Sequence, residues 1–240
     1  MNMKLTVVLP AYNEGDNVEE LTTRLVSVLK KQKIKYDILY ILQGNDGALE
    51  RLRRMKKKIP QIRMKHYPEP LGVGPAFRIG FDNIAKDSTH VLTLDADLNH
   101  QPEEIPRFIR SMEKNKVDLV IGSRKVKGGK MIDMPVWKKW ISSGTNMIFR
   151  EFFNLGAKDL TSGYRLFKRE VIDNVKNRLI SRNFEFYPEV ILRASRLGFS
   201  ISEVPITFKF RVHGKSKLGV ISSGIGYAKL LCLLLISKEK

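Results

Sequence analysis

Asp95 and Asp97 stand one residue apart, directly after the apolar run His90 to Leu94. If that run is a strand, residues i and i+2 of the extended segment leaving it can face the same way. In open α/β sheets, ligands bind beyond the carboxyl ends of the strands. Two acids there can share a hard cation such as Mg²⁺ or Mn²⁺, which prefers oxygen ligands and keeps substrate phosphate in its shell. The bland alternative for Asp95-Ala96-Asp97 is a solvated turn or a helix cap before Pro102; the place at a strand end favours the metal. A second rim segment, Pro10-Ala11-Tyr12-Asn13-Glu14, closes the apolar run Lys4 to Leu9. Pro and Asn both favour turns, yet this turn would also bring Tyr12 and Glu14 to the same carboxyl edge, beside a base or ribose. Gly72-Val73-Gly74 has neither the GxGxxG spacing nor a Gly-Lys-Ser/Thr ending, so a dinucleotide fingerprint and a P-loop are both rejected. Its glycines read as a tight turn into a helix.

These residues need a frame that brings both rims together. Short β-branched runs at Lys4–Leu9, Asp37–Leu42, Arg63–Tyr67, His90–Leu94 and Val117–Gly122 read as strands. Between them, Asn17–Lys31, Ala48–Lys58, Gly74–Ala85 and Glu103–Asn115 carry apolar residues at helical spacing. Asp16 and Glu19 resemble a capping box at the first helix. The βαβα rhythm predicts a mostly parallel, doubly wound α/β sheet. Further on, Val136–Phe153 predicts a helix with a broad apolar face, Asp159–Phe167 an extended segment and Glu185–Leu197 a helix. Ser200–Phe210 alternates as one half-buried strand does. Repeats, low-complexity segments and a clear linker are missing, which favours one domain.

The 240 residues are 42% hydrophobic, enough for a real core. Lys and Arg number 43 against 25 Asp and Glu, a formal charge of +18. That excess suits nucleic acid, phosphorylated small molecules or an anionic membrane surface. A nucleic-acid binder would be expected to show an aromatic-basic signature, a helix-turn-helix or a zinc finger, and none is evident. The lone cysteine, Cys232, rules out an internal disulfide and a cysteine-rich zinc site and suits a reducing compartment. The apolar run ending at Pro10 is too short for a secretory signal.

In chain order, Val8–Glu14 (VLPAYNE), Leu71–Ala76 (LGVGPA), Asp95–His100 (DADLNH), Gly122-Ser123-Arg124, Leu160–Phe167 (LTSGYRLF) and Arg211–Leu218 (RVHGKSKL) make the chain resemble glycosyltransferase family 2. Within it, the dolichyl-phosphate mannose or glucose synthase group is the most similar. The resemblance spans residues 4 to 218 and is carried by the ordered set rather than by any one segment. It implies a GT-A fold, a Rossmann-like mostly parallel sheet flanked by helices. It also implies a nucleotide-sugar donor, GDP-mannose or UDP-glucose, and inverting transfer to dolichyl or another polyprenyl phosphate. Carried over by position, Pro10, Tyr12 and Glu14 bind the nucleoside. Asp95, Ala96 and Asp97 meet the donor diphosphate, and Asp95 and Asp97 hold the metal, with Asn99 where the family often has Gln. Arg124, Lys138, Ser142 and Arg211 contact the acceptor phosphate, and Lys217, with Ser216, closes over the diphosphate. Asp97, Arg124 and Arg211 are the implied catalytic set. Lys138 stands where Arg is commoner, and a lysine cannot form a bidentate fork. One departure stands out. The family's Asp-Asp-Gly-Ser-type run is here Leu42-Gln43-Gly44-Asn45-Asp46-Gly47, leaving Gln43 and Asp46 as the base-side candidates. Gln43 can donate and accept hydrogen bonds but cannot mimic an ionised carboxylate.

Gly219–Ser237 is largely apolar with one charge, Lys229, but its first half is rich in Gly and Ser. A spanning helix needs about 20 apolar residues. The expectation is a catalytic domain over residues 1–217 and a C-terminal amphipathic, membrane-associating helix over 218–240, with a marginal span as runner-up and a buried core helix as the bland alternative. The basic stretch Arg51–Lys58 and the Trp137/Trp140 region suit an anionic interface. Together these predict a protein at the cytoplasmic face of a membrane, peripheral or C-terminally anchored. Competing functions are transfer to another acceptor (lipid, polysaccharide or protein), nucleic-acid binding, and a pseudoenzyme that has lost the acids near Gln43.

Overall fold

A computed structural model describes residues 3–153, 155–210, 226–227 and 229–230, the side chains of Lys138 and Ile141 excepted. In chain order the elements are β1 (Lys4–Tyr12), α1 (Val18–Lys31), β2 (Lys35–Gln43), α2 (Ala48–Lys56), β3 (Ile62–Tyr67), α3 (Val73–Asp82) and β4 (His90–Thr93). Then follow α4 (Ile105–Asn115), β5 (Leu119–Ser123), β6 (Lys130–Ile132), α5 (Val136–Phe153), β7 (Arg165–Lys168), α6 (Arg169–Val175), α7 (Phe186–Arg196), β8 (Ile201–Pro205) and β9 (Thr207–Lys209).

The main sheet has seven strands in the order β3-β2-β1-β4-β7-β5-β8. All neighbours are parallel except β7, which runs antiparallel to both β4 and β5. Alternation along β1 explains the two helical layers. Leu5, Val7, Leu9 and Ala11 face a core shared with Val18, Leu21, Leu25 and Leu29 of α1 and with Phe108 and Met112 of α4. Val8 faces the other side, where Phe77 and Phe81 of α3, Val171 of α6 and Val190 of α7 pack. Each fully buried side chain of this size contributes about 1.5–3 kcal/mol. The sheet therefore cannot slip register without exposing one face.

Two sequence expectations are corrected. The capping box at Asp16 and Glu19 does not form. Asn17 is the N-cap without a side-chain cap bond; the Glu14 carbonyl takes the Asn17 and Val18 N–H groups, and Asp16 pairs with Arg51 at 3.1 Å. Ser200–Phe210 is not one strand. Pro205 closes β8 because it has no N–H to continue the ladder. At Ile206 the N–H goes to Ser123 and the carbonyl to Lys130, so the chain changes sheets and β9 pairs with β6.

Near the C-terminus, Leu230 is buried in the second core and Tyr227 meets Phe149 of α5 edge-on at 6.0 Å. Among the described residues no helix is long and apolar enough to cross a membrane. The expected membrane segment otherwise falls outside them.

Candidate active site

The loop leaving β4 holds the two aspartates by different means. Asp95 Oδ1 accepts a 2.9 Å hydrogen bond from the Tyr187 hydroxyl of α7. Gly163 lies against it: a Cβ there would come within 3.2 Å of both Asp95 oxygens and 2.9 Å of the Tyr187 ring. Asp97 is held by its own loop. Its oxygens accept from the Asn99 backbone N–H at 3.1 Å and the Asn99 side-chain amide at 2.6 Å. That tight turn puts Leu98 at φ 61, a conformation rare outside glycine.

Burial pushes the Asp95 carboxyl above its usual range, Tyr187 and Arg124 pull it back, and Glu14 pushes it up again. Acids crowded this way favour a cation between them. Among the described residues no group of three His, Cys, Asp or Glu side chains forms a complete metal cage. Two carboxylates plus substrate phosphate is the donor set that Mg²⁺ and Mn²⁺ accept, so the residues fit the expected ion. The Asn99 amide nitrogen is engaged with Asp97, so any ligation by Asn99 would come from its Oδ1.

Across the rim, Arg124 leaves the end of β5. Its Nε and one terminal nitrogen each reach Asp159 at 2.7 Å, a bidentate fork, and its backbone N–H bonds the same carboxylate at 2.9 Å. The same terminal nitrogen also donates to the Thr161 hydroxyl at 2.7 Å, which is 3.1 Å from the Ser142 hydroxyl on α5. Both ions of the Arg124–Asp159 pair are buried. Burial pushes the Asp159 carboxyl up, but the Arg124 charge and the hydrogen bonds outweigh it and hold the group below the usual carboxylate range. Arg124 and Asp95 each feel the other's charge. So Arg124 is tied to Ser142 through Thr161 and anchored by Asp159, which lies outside the sequence motifs, and its charge reaches Asp95.

On the other side, Tyr12, Gln43 and Tyr67 stand in register at the ends of three parallel strands. Gln43 is buried, and its Oε1 accepts from the Leu71 N–H at 2.7 Å and the Gly72 N–H at 3.2 Å. Asp46 accepts from the Gly15 and Ala48 N–H groups, which ties the turn after β1 to the start of α2. Gly72 at φ 95 begins α3, and a Cβ at Gly74 would run into the Ser181 carbonyl, so the glycines serve the close turn expected of them. Pro10 lies two residues before Tyr12, and the Glu14 side chain takes the Asn17 amide at 2.6 Å.

The model for glycosyl transferase family 2 matches residues 6–176. The chain belongs to this family. Among curated family relatives, a dolichol-phosphate mannosyltransferase of Pyrococcus furiosus is 34% identical over 90% of this chain, although the chain spans only 59% of that relative's length. An undecaprenyl-phosphate mannosyltransferase of Micrococcus luteus is 30% identical over 93% of the chain and 91% of the relative. A polyprenol monophosphomannose synthase of Mycolicibacterium smegmatis is 30% identical over 88% and 80%. Among solved structures, glucosyl-3-phosphoglycerate synthase of Mycobacterium tuberculosis with Mn²⁺, UDP-glucose and phosphoglyceric acid superposes with a TM-score of 0.67 at 16% identity, covering 97% of this chain and 79% of that one. The fold is thus the GT-A fold of family 2 enzymes.

Within this family 2 site, Arg211, Ser216, Lys217 and the Lys138 side chain lie outside the described residues. Four contributors were missed from sequence: Tyr187, Asp159, Thr161 and His100. Only Thr161 and His100 lay inside recognised motifs. His100 is fully buried between Tyr164 and Phe208, with Nδ1 3.7 Å from Asp95 Oδ2. Burial lowers its pKa to about 4, so it is neutral near pH 7.

Proposed function

We propose that this chain is a metal-dependent, inverting hexosyltransferase that moves mannose or glucose from a nucleotide sugar to a polyprenyl phosphate at a membrane surface. One juxtaposition carries the reading. Asp95 lies within charge range of Arg124, whose partner Thr161 touches Ser142 on α5. The same helix turns Trp137, Trp140, Met147 and Phe152 to solvent, Trp140 with 75% of its surface exposed. Exposed tryptophans on a helix whose other face is anchored in the protein, through Asn146 and Phe149, suit the water–lipid boundary. The relatives' names, which join mannose to dolichol, undecaprenyl and polyprenol carriers, support the acceptor class.

Asp95 and Asp97 would hold the Mg²⁺ or Mn²⁺, which when bound neutralises the leaving diphosphate. Tyr187 and Asn99 pre-aim those carboxylates, so little reorganisation is needed as charge develops. Pro10, Tyr12 and Glu14 would flank the nucleoside. The acceptor phosphate is already anionic near neutral pH and needs alignment rather than a general base. One of its oxygens bonds to the anomeric carbon while the bond to the diphosphate breaks on the opposite side. Arg124 would supply positive charge without leaving Asp159 and would orient Thr161 and Ser142. Lys138, Arg211 and Lys217 complete the proposed phosphate contacts.

The test is a panel of GDP- and UDP-sugars with Mn²⁺ and a polyprenyl phosphate, following sugar into the organic phase. Transfer from one donor, lost on chelation, is expected. No organic-phase product from any donor would defeat the reading.

A further inference from the structure

Arg124 and Lys125 are neighbours in the chain, yet among the described residues only Arg124 has a bonded counter-ion. Asp159 accepts from the Arg124 backbone N–H, from its Nε, from a terminal nitrogen and from the Thr161 hydroxyl. A carboxylate has about four lone-pair sites, so Asp159 is filled. The Lys125 ammonium is half-buried, and its Nζ donates to the Ser143 hydroxyl of α5 at 3.0 Å. No carboxylate among the described residues bonds it. Burial, joined by the Arg124 charge, pushes it below the ordinary lysine range against the pull of Asp159. The two serines of α5 differ in the same way. Thr161 gives its one hydrogen to Asp159, so in its contact with Ser142 the hydrogen comes from Ser142. Ser142 then has none left to give. Ser143 accepts from Lys125 and keeps its own. It is exposed, on the face of α5 that carries Trp140 and Met147 one turn to either side.

We infer that Lys125, with the Ser143 hydroxyl, is a further residue that binds the phosphate of the lipid acceptor, at the outer face of α5. The inference rests on the polyprenyl-phosphate reading above. An ammonium has three hydrogens to donate; Ser143 takes one, and the others remain open beside the Ser143 hydrogen. A spare positive charge that offers only donors fits an oxyanion. A phosphate monoester suits it best, with a charge of about −1.5 to −2 near pH 7 and three strong acceptor oxygens. The lysine head is a compact charge on a flexible stem. It can follow a phosphate towards Arg124, whose own fork is fixed by Asp159. Trp140 beside it sets that phosphate at headgroup depth, so the prenyl chain can stay in the lipid.

Transfer by the full chain is measured with Mn²⁺, its sugar donor and a short polyprenyl phosphate in neutral detergent, varying each substrate in turn. Lys125→Met keeps the stem and removes the charge. It should raise the acceptor KM about tenfold, since a hydrogen bond between charged groups is lost. The donor KM should stay within about twofold, because a rise confined to one substrate marks lost binding of that substrate. Lys125→Arg, which returns the charge, should recover most of the loss. Ser143→Ala removes one neutral donor and should raise the acceptor KM about threefold. The proposal is overturned if the acceptor KM of Lys125→Met stays within about twofold of wild type, or if both KM values rise together. It is also overturned if the loss appears only when anionic phosphatidylglycerol vesicles replace the detergent, which would assign Lys125 to a bilayer headgroup. In each of those cases wild-type transfer stands, and the acceptor reading with it. Should Lys125→Met fail to fold, the exposed Ser143→Ala decides alone, and an unchanged acceptor KM overturns the proposal. Wild type that transfers to no polyprenyl phosphate would remove the acceptor reading itself, and this inference with it.

Discussion

The two sides of the rim are built differently. On the β1–β2–β3 side, polar side chains hold backbone: Gln43 takes the Leu71 and Gly72 N–H groups, and Asp46 those of Gly15 and Ala48. On the β5–β7–α5 side, buried side chains hold each other: Arg124 with Asp159 and Thr161, Thr161 with Ser142. The first arrangement shapes a template by fixing loop backbone to side-chain oxygens. The second keeps charge inside the protein, where a positive group needs a fixed partner to remain. A nucleoside asks for shape and hydrogen-bond polarity. A phosphate asks for charge. The contrast matches that division, and the two aspartates sit at the seam.

Breaking the seam should have the largest effect. Asp97→Ala is expected to abolish metal-dependent transfer. The variant should still fold, because the Asp97 side chain accepts the Asn99 N–H and side-chain amide within its own loop and lies outside both apolar cores. A cooperative thermal unfolding transition should remain, which separates loss of transfer from loss of fold. Near-normal turnover would refute the metal role.

On the charged side the loss should be one of stability. Asp159→Ala leaves Arg124 buried without its counter-ion and should cost about 3–5 kcal/mol, read by denaturant unfolding. The same pair sets a pH dependence. The folded-state pKa of Asp159 is depressed, so its contribution is fully present above the unfolded value, about 3.9. It is lost as pH falls through the lower folded value. Asp159→Asn should therefore flatten the acid limb of stability below about pH 4. An unchanged limb would mean that Arg124 is compensated elsewhere.

The outer face of α5 sharpens the contrast differently. Replacing Trp137 and Trp140 together by Glu should weaken binding to anionic liposomes by about tenfold or more, since both indole rings would leave the lipid boundary. Transfer to a short, water-soluble polyprenyl phosphate should stay near wild type. Equal losses in both assays would mean that the helix serves the site and not the membrane.

Much of the frame was legible because it is local. The strands β1 to β5 and the helices between them follow from period-2 and period-3.6 runs, and Asp95-Ala96-Asp97 follows from its place after His90–Leu94. What escaped is non-local. Tyr187 meets Asp95 across 92 positions of chain, and Arg124 meets Asp159 across 35. An Asp before Leu160 reads as a surface residue until the sheet folds over it. The run Asp159–Phe167 looked uniformly extended, yet only Arg165–Lys168 pairs, wedged antiparallel between β4 and β5. No periodicity reports that a later strand will insert between earlier ones.

The smallest change tests that non-local link directly. Tyr187→Phe removes one hydroxyl and keeps the ring, which packs at 6.0 Å from Phe77 and under Arg165 at 5.5 Å. A single hydrogen bond to a charged group contributes about 1.5–3 kcal/mol, less where water can replace the donor. Asp95 is partly open to solvent, so the lower end applies, a factor of about ten in an equilibrium constant. If Tyr187 aims Asp95 at the cation, Mn²⁺-dependent nucleotide binding should weaken by about that factor, while metal-free nucleotide binding changes little. A loss shared equally by both would assign Tyr187 to packing alone, and Asp95 would then be held by the loop, as Asp97 is.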